Sequence, residues 1–327
     1  MTIKLPPWLK QYTIKIDKSH MHHAYLISGR EGVGKSTLAE YFSLNTLCHS
    51  ERNDLCGICH SCKLTDLINH PDFHDLKPLP DKKIIGIGQI HQLRDKLYES
   101  AFLGKNKVIL VSGLDKISLD GLNGFLKILE EPPQNTFFFL TTDFLHSVPM
   151  TIQSRCLGIK IETPKISQSL EWLSDFPETE SMQALRLSNF LPLVAKDLLD
   201  KNFLSHRKDF IDEISGIIKE GNSITSTSDK WIKEEETLTI KLEWMSQILV
   251  DSIKFNACSK IESLNNDTDN ISRYLGKNTQ IYKLHELLSK TNQLWSIFSQ
   301  ETNLRADYQL NNLFVDWEGY LGVSKKI

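Results

Sequence analysis

The chain has 327 residues, enough for two or three domains, and its content of 40% hydrophobic and 24% charged residues is ordinary for a soluble globular protein. The 38 Lys and Arg residues against 41 Asp and Glu residues give a net charge of −3, which argues against a chain built mainly to bind DNA backbone. No apolar run reaches the ~18–20 residues of a membrane span, and the N-terminus lacks the features of a signal peptide. We therefore expect a cytoplasmic protein that makes no membrane contact.

A phosphate-binding loop is the first strong motif along the chain. The segment Gly29–Thr37 fits the pattern G-x-x-x-x-G-K-[ST] without a mismatch, follows the apolar run Tyr25–Ile27 and opens a helical pattern at residues 38–48. Glycines in such a loop let backbone N–H groups converge on phosphate oxygens at a helix N-terminus. We expect ATP or ADP to bind through Gly29, Gly32, Gly34, Lys35, Ser36 and Thr37. A glycine-rich turn that binds nothing, or a relic that no longer turns over, remains the alternative.

A cluster of cysteines follows the loop and its helix. Four of the six cysteines fall within fifteen positions, and the last three form two overlapping C-x-x-C units. In a cytosolic chain such clustering indicates a bound metal rather than disulfides. Four thiolates complete a tetrahedral Zn²⁺ site with no open position, so we expect a structural zinc held by Cys48, Cys56, Cys59 and Cys62. The alternatives are His60 in place of one thiolate, and free cysteines in a loop.

Apolar runs then alternate with helical patterns as far as about residue 163. Lys107–Val111 and Phe137–Thr142 have the composition of buried parallel strands, Asp75–Leu79 that of an edge strand, and Leu157–Ile161 that of a further strand. Strands that alternate with helices predict a doubly wound parallel sheet.

The strand Lys107–Val111 ends without the acidic pair of a working nucleotide hydrolase. Such enzymes carry Asp–Glu at this point to hold Mg²⁺ and polarise water, whereas this chain has Ser112 and Gly113. Asp115 lies three residues beyond Ser112 and would substitute only in a shifted register. We therefore expect the chain to have no ATPase activity of its own.

An arginine follows the strand that ends at Thr142. The segment Thr151–Cys156 contains Arg155, on a short element after that strand. An arginine in this place can reach the nucleotide of a neighbouring subunit as an arginine finger. Taken alone, the residue would more simply be a surface salt-bridge arginine.

From about residue 163 onward the strand-like runs stop and helical periodicity takes over. Apolar stripes at helical spacing predict packed helices, and we interpret them as core rather than as a cofactor site. We expect three domains, at residues 1–163, 164–203 and 204–327. Two polar segments, Gly221–Asp229 and Ser263–Ser272, are expected to be mobile loops.

Taken in order, these motifs resemble those of the delta-prime subunits of the bacterial DNA polymerase III clamp loader, a family of AAA+ proteins. The resemblance covers roughly residues 5–200, and beyond that only length and helical character agree. Its residues are His23–Ala24, the phosphate loop, the four cysteines, His70–Asp72, Asn123–Pro133, Thr141–Asp143 and Ser154–Cys156.

The resemblance implies an α/β AAA+ P-loop domain with a parallel sheet and an inserted zinc module, followed by a small helical lid and an all-α C-terminal collar. It also implies a ring with the delta subunit and ATP-hydrolysing gamma/tau subunits, which loads the sliding clamp onto primed DNA in chromosomal replication. In that ring Arg155 would be donated in trans to the ATP site of an adjacent gamma/tau subunit. The chain itself would be a non-hydrolysing component of the polymerase holoenzyme.

Two features of the sequence bear on whether the chain binds and hydrolyses ATP. Many delta-prime chains have a degraded phosphate loop, whereas this loop is intact. Leu191–Leu193 stands where ATPase relatives carry a sensor arginine in the lid. An ATP-hydrolysing gamma/tau-like motor is the main alternative, and a stand-alone P-loop kinase or repair enzyme with a zinc module is a second. The latter leaves the segments Asn123–Pro133 and Ser154–Cys156 unexplained.

Overall fold

The structure is a computed structural model that describes residues 5–50, 55–64, 69–80, 82, 84–103, 106–220, 224–258, 263–299 and 306–321. The chain divides into two units. The first contains residues 1–175 and 190–194, and the second contains residues 176–189 and 195–327. The division into three domains at residues 163 and 203 stays a prediction.

Five strands form one parallel sheet in the order β2-β3-β4-β1-β5. Since the strands run in the same direction, their carboxyl ends meet at one end of the sheet, where Ser28 pairs with Thr142. This end carries the loop that follows β1, as expected for ligand sites in open parallel sheets. The strands are β1 (Ala24–Ser28), β2 (Phe73–Leu76), β3 (Lys107–Val111), β4 (Thr136–Thr142) and β5 (Leu157–Lys160).

Helices cover both faces of the sheet, which explains why its strands are continuous apolar runs. Successive side chains of a strand point to opposite faces. Leu26 and Phe138 therefore join one core with Phe125, while Tyr25 joins the other core with Phe42. The helices between the strands are α1 (Lys35–Leu47), α2 (His60–Lys63), α3 (Ile87–Leu97), α4 (Leu119–Glu130) and α5 (Met150–Gln153).

From Ile166 onward the described chain contains helices and no strand. The predicted α/β domain with a parallel sheet, followed by a helical region, is confirmed. Among the described residues, no helix is both long and apolar enough to cross a bilayer. The helices are α6 (Ile166–Trp172), α7 (Glu178–Leu187), α8 (Pro192–Asp200), α9 (Phe203–Glu220), α10 (Ile224–Lys233), α11 (Glu235–Ala257), α12 (Asp269–Asn278), α13 (Ile281–Ser299) and α14 (Ala306–Leu321).

An aromatic cluster lies in the core of the second unit. The ring of Trp231 is fully buried, 5.1 Å from the ring of Phe314 and 5.7 Å from that of Phe210. Trp244 packs on Phe210 from another side, at 5.3 Å between ring centroids. Aromatic side chains bury large areas, so this cluster is a major source of packing energy for the helical unit.

The two segments expected to be mobile loops are largely helical, so that prediction is wrong. Helix α10 covers the described part of Gly221–Asp229, and residues 221–223 lie outside the described residues. Burial of Trp231 in the aromatic core holds this polar segment in a helix. In Ser263–Ser272, a 3₁₀ turn at Asn266–Thr268 leads into α12, whose Ile271 is buried. Tertiary packing overrides the turn-forming preference of Ser, Thr and Asn in both places.

Candidate functional site

The phosphate-loop residues lie between the carboxyl end of β1 and the first turn of α1. Gly34 precedes α1 with φ of +99°, and Gly32 has φ of +79°. Both values fall in the left-handed region, where a residue with a Cβ atom is strained, so the two positions require glycine. The backbone N–H groups and dipole of α1, a helix of 13 residues, point towards the loop and favour an anion there.

The ammonium group of Lys35 is already engaged within the chain. Its side chain is only 9% exposed, and Nζ lies 2.5 Å from Oδ1 of Asp143 and 2.8 Å from the carbonyl oxygen of Arg30, to which it donates a hydrogen bond. Asp143 follows directly on Thr142, which pairs with Ser28 at the ends of β4 and β1. The register of the two strands therefore places the Asp143 carboxylate beside the loop.

Aliphatic side chains pack against the phosphate loop. A Cβ atom on Gly32 would lie 2.7 Å from Cγ2 of Val194, and one on Gly34 would lie 2.8 Å from Cδ1 of Leu9. Trp8 donates from Nε1 to the carbonyl oxygen of Val33 at 2.9 Å. Leu191–Leu193, where we expected no sensor arginine, and the adjoining Val194 thus present apolar groups to the loop.

The end of β3 carries hydroxyl and backbone groups where a hydrolase has carboxylates. The Ser112 hydroxyl donates to Oδ1 of Asp75 at 3.3 Å, and the backbone N–H of Gly113 donates to Oγ1 of Thr141 at 3.0 Å. The carboxylate of Asp115 accepts a hydrogen bond of 3.1 Å from the hydroxyl of Thr142. Asp115 is therefore used to fix the end of β4, and positions 112 and 113 offer neither a metal-binding charge nor a base.

The four predicted zinc ligands form a compact cluster. Their sulfur atoms all lie within 4.8 Å of one another, with 3.9 Å between Cys56 and Cys62 and 4.0 Å between Cys59 and Cys48. A tetrahedral site with Zn–S bonds of about 2.3 Å requires sulfur atoms about 3.8 Å apart. The arrangement therefore fits Zn²⁺ closely. His60 is exposed and lies outside this cluster of described metal-binding groups, which disfavours it as a ligand.

The thiols of the cluster differ in how readily they ionise. The backbone N–H groups of Ile58 and Cys59 lower the pKa of the Cys56 thiol to about 6, whereas burial raises the pKa of the Cys62 thiol to about 12. A divalent cation favours the thiolate form at every sulfur. With four thiolates bound, zinc has no position left for a substrate, and its role in such a site is structural.

Two residues of the segment His70–Asp72 support this region, a role that the sequence motifs did not reveal. The ring nitrogen Nε2 of His70 lies 3.0 Å from the hydroxyl of Ser61, inside the short helix that carries Cys62. The carboxylate of Asp72 accepts hydrogen bonds from the backbone N–H groups of Phe102 and Leu103. His70 and Asp72, just before β2, therefore connect this strand to the helix that carries Cys62 and to residues 102–103.

Arg155 lies just after α5 with a side chain that is 34% exposed. Its Nη1 donates to the carbonyl oxygen of Thr151 at 2.7 Å, and its Nη2 donates to Oε1 of Glu130 at 2.7 Å. Glu130 is the last residue of α4. The guanidinium group is thus held by one carboxylate and one carbonyl group, with a longer hydrogen bond of 3.4 Å to the Ser154 hydroxyl.

Comparisons with known proteins cover most of the chain. A family model described as "DNA polymerase III, delta subunit" matches residues 5–165, and one described as "DNA polymerase III, delta subunit, C terminal" matches residues 201–319. The DNA polymerase III subunit delta' of Buchnera aphidicola from Acyrthosiphon pisum is 30% identical over 95% of this chain and 93% of that protein. The corresponding protein of Buchnera aphidicola from Schizaphis graminum is 26% identical over 98% of each chain.

A second kind of relative matches less than half of the chain. The DNA polymerase III subunit tau/gamma of Haemophilus influenzae is 34% identical over 156 residues, which are 46% of this chain and 22% of that protein. The relatives named subunit delta' instead align along nearly the whole chain. The chain therefore belongs to the delta-prime subunit family of bacterial DNA polymerase III.

Proposed function

We propose that this chain is a non-hydrolysing delta-prime subunit of the clamp loader, which assembles with delta and gamma/tau subunits to load the sliding clamp onto primed DNA. In this assembly it donates Arg155 in trans to the ATP site of a neighbouring gamma/tau subunit. The proposal rests on the Arg155 guanidinium, on a side chain that is one-third exposed, in a chain whose own strand β3 is followed by Ser112 and Gly113.

The contacts of Arg155 suit a group that acts outside its own chain. A guanidinium group has five N–H donors, and the three hydrogen bonds to Thr151, Ser154 and Glu130 use only part of them. The planar fork of Arg can therefore bind a phosphate from an adjacent subunit while the side chain stays anchored. An arginine finger stabilises the charge that develops on the transferred phosphoryl group.

The chain's own nucleotide site supports binding without turnover. Its phosphate loop keeps Gly29, the two left-handed glycines and Lys35, and Ser36 and Thr37 follow at the start of α1. Catalysis requires in addition a metal-binding carboxylate and a group that orients water, and positions 112 and 113 provide neither. We infer that the loop binds ATP or ADP and that hydrolysis belongs to the gamma/tau subunits.

Zinc has a structural part in this proposal. Cys48 lies just after α1, while Cys56, Cys59 and Cys62 lie in and before α2, so one cation would hold the two helices together. We propose that the chain works in the cytoplasm and reaches the clamp and DNA through the assembled complex.

The experiment that tests this function compares clamp loaders reconstituted with the wild-type chain or with Arg155→Ala. Arg155→Ala is expected to assemble normally and to lower complex ATPase and clamp loading several-fold. The loss at the site that Arg155 serves would be about 10³–10⁵ in rate, and the ATP sites that it does not serve make the decrease for the whole complex smaller. Arg155→Lys keeps the charge but not the planar fork, so it should restore little. Arg94→Ala, at a half-exposed arginine on α3, is the matched control and should leave loading unchanged.

A gamma/tau-like motor is the second candidate, because the phosphate loop is intact and 156 residues of the chain are 34% identical to a tau/gamma subunit. Turnover by the isolated chain distinguishes the two. Robust hydrolysis without partner subunits would favour the motor, and binding without hydrolysis would favour the proposed role.

A further inference from the structure

We propose that Asp143 is an internal counter-ion of Lys35 that competes with nucleotide phosphates for the phosphate loop, and so sets how tightly this subunit holds a nucleotide. The inference rests on the proposed use of the loop as a nucleotide site. It does not depend on the action of Arg155, so the two proposals can fail separately.

Lys35 is a buried cation. Its side chain is nine-tenths buried, and a buried ammonium group requires a partner of opposite charge. A hydrolase would supply a carboxylate near the loop from position 112, but this chain has a serine there. Within the described part of the chain, Asp143 supplies the one carboxylate recorded within 4.0 Å of Lys35 Nζ.

The sheet register keeps Asp143 in place. Strand β4 lies next to β1, and Ser28 and Thr142 are the last pair of residues in their parallel register. Asp143 is the next residue after Thr142, while Gly29 is the next residue after Ser28. The carboxylate therefore stands on a rigid strand end beside the loop, and the short Lys35–Asp143 contact follows from the sheet register rather than from a mobile segment.

An arriving phosphate would meet this carboxylate. A phosphoryl group bound at Lys35 would also lie near Asp143, whose side chain is 31% exposed, and two neighbouring negative charges repel each other even where water screens them in part. The nucleotide must either displace Asp143 from Lys35 or bind beside it. Both routes weaken binding relative to a loop in which Lys35 is free to face the phosphates.

The opposite role for Asp143 would be as a ligand of Mg²⁺ together with the Ser36 hydroxyl, since carboxylates are preferred Mg²⁺ ligands. In that case removal of the carboxylate would weaken binding of the magnesium complex and have little effect on the metal-free nucleotide. The two roles therefore predict changes of opposite sign.

The test is calorimetric titration of the full-length chain with ADP and with ATP, each with Mg²⁺ and with EDTA. Asp143→Asn is expected to bind each nucleotide at least about tenfold more tightly than wild type, with or without Mg²⁺, because the competing charge is lost. Asp115→Asn is the matched control. It removes the same charge from the same end of the sheet, where Asp115 contacts Thr142 instead of Lys35, so its affinity should stay within about twofold of wild type.

A double variant tests whether Asp143 acts through Lys35. In a Lys35→Ala background only the direct repulsion between Asp143 and the phosphates remains, so Asp143→Asn should tighten binding by a smaller factor than it does in the wild-type chain. Equal factors in the two backgrounds would contradict competition for Lys35. Thermal unfolding of each variant verifies that it is folded. Weaker or unchanged binding by Asp143→Asn, or no measurable binding by either wild type or the variant, would overturn the inference.

Discussion

The guanidinium group of Arg155 and the carboxylate of Glu130 form an ion pair, with 2.7 Å between Nη2 and Oε1. The pair joins the last residue of α4 to the residue that follows α5 by two positions. The side chain of Glu130 is 41% exposed and that of Arg155 is 34% exposed. Glu130 therefore holds the proposed finger at the surface without burying it.

Glu130→Gln tests how firmly Arg155 is held. Exposed ion pairs contribute at most about 1 kcal/mol, so we expect a change in unfolding free energy within that limit. The hydrogen bond from Arg155 to the Thr151 carbonyl remains, and complex ATPase should therefore fall much less than in Arg155→Ala. Chemical denaturation and ATPase assays of the reconstituted complex measure both quantities. Loss of ATPase as large as in Arg155→Ala would mean that Glu130 itself takes part at the neighbouring site.

Cys59→Ser tests the zinc module. The variant removes one of four clustered thiolates, and we expect zinc content to fall from one per chain towards zero and the N-terminal unit to unfold at a lower temperature. Cys258→Ser, at an exposed cysteine outside the cluster, is the matched control and should change neither property. Atomic absorption and scanning calorimetry measure the two properties. A metal-free wild-type chain of equal stability would contradict a structural zinc.

Histidine burial predicts a stability that decreases in acid. Burial, with Lys96 and Lys107 nearby, lowers the pKa of His74 from its ordinary value of 6.5. Burial likewise lowers the pKa of His23 and His70. The unfolded chain then binds more protons than the folded chain below that value, so stability is lost as pH falls through about 6.5.

The variant His74→Asn checks this dependence. We expect its midpoint of thermal unfolding to fall less steeply than that of wild type between about pH 7 and about pH 5, because the variant has one fewer group that gains a proton on unfolding. The same substitution at the exposed His146 should retain the wild-type slope. Identical slopes for wild type and His74→Asn would show that His74 does not contribute.

Asp267→Asn tests a buried ion pair in the helical unit. Arg207 is fully buried, and its Nε and Nη2 donate to the two carboxylate oxygens of Asp267 at 3.0 and 3.1 Å. Removal of the carboxylate charge leaves a buried guanidinium unpaired, and we expect about 3 kcal/mol of destabilisation in urea unfolding. Asp197→Asn, in the exposed pair with Lys201, is the control and should cost less than about 1 kcal/mol. Equal effects of the two variants would contradict this assignment.

Most strands of the sheet can be predicted from the sequence, because strands that are buried on both faces are continuous apolar runs. Lys107–Val111 was predicted with its exact bounds, and the predicted Phe137–Thr142 differs from β4 by one residue. The edge strand was less well defined: the structure places it at Phe73–Leu76, two residues before the predicted start at Asp75. An edge strand is short and half-buried, so its apolar pattern is weaker than that of a central strand.

The parts of the site that can be predicted are those whose functional residues lie close together in the sequence. The phosphate loop and the C-x-x-C units are local patterns, since backbone geometry alone brings their groups together. The contact between Lys35 and Asp143 joins residues 108 positions apart and depends on the register of β4 against β1. The His70–Ser61 contact and the helix α10 also depend on tertiary packing, which single-sequence patterns do not encode.

We propose that the chain binds a nucleotide without hydrolysing it and acts on a neighbour's ATP through Arg155. The most direct measurement is steady-state ATPase of the purified chain, repeated after addition of gamma/tau and delta subunits, with wild type and Arg155→Ala. We expect no turnover by the isolated chain, turnover in the complex, and a several-fold decrease with Arg155→Ala. Robust turnover by the isolated chain, or full complex activity with Arg155→Ala, would contradict it.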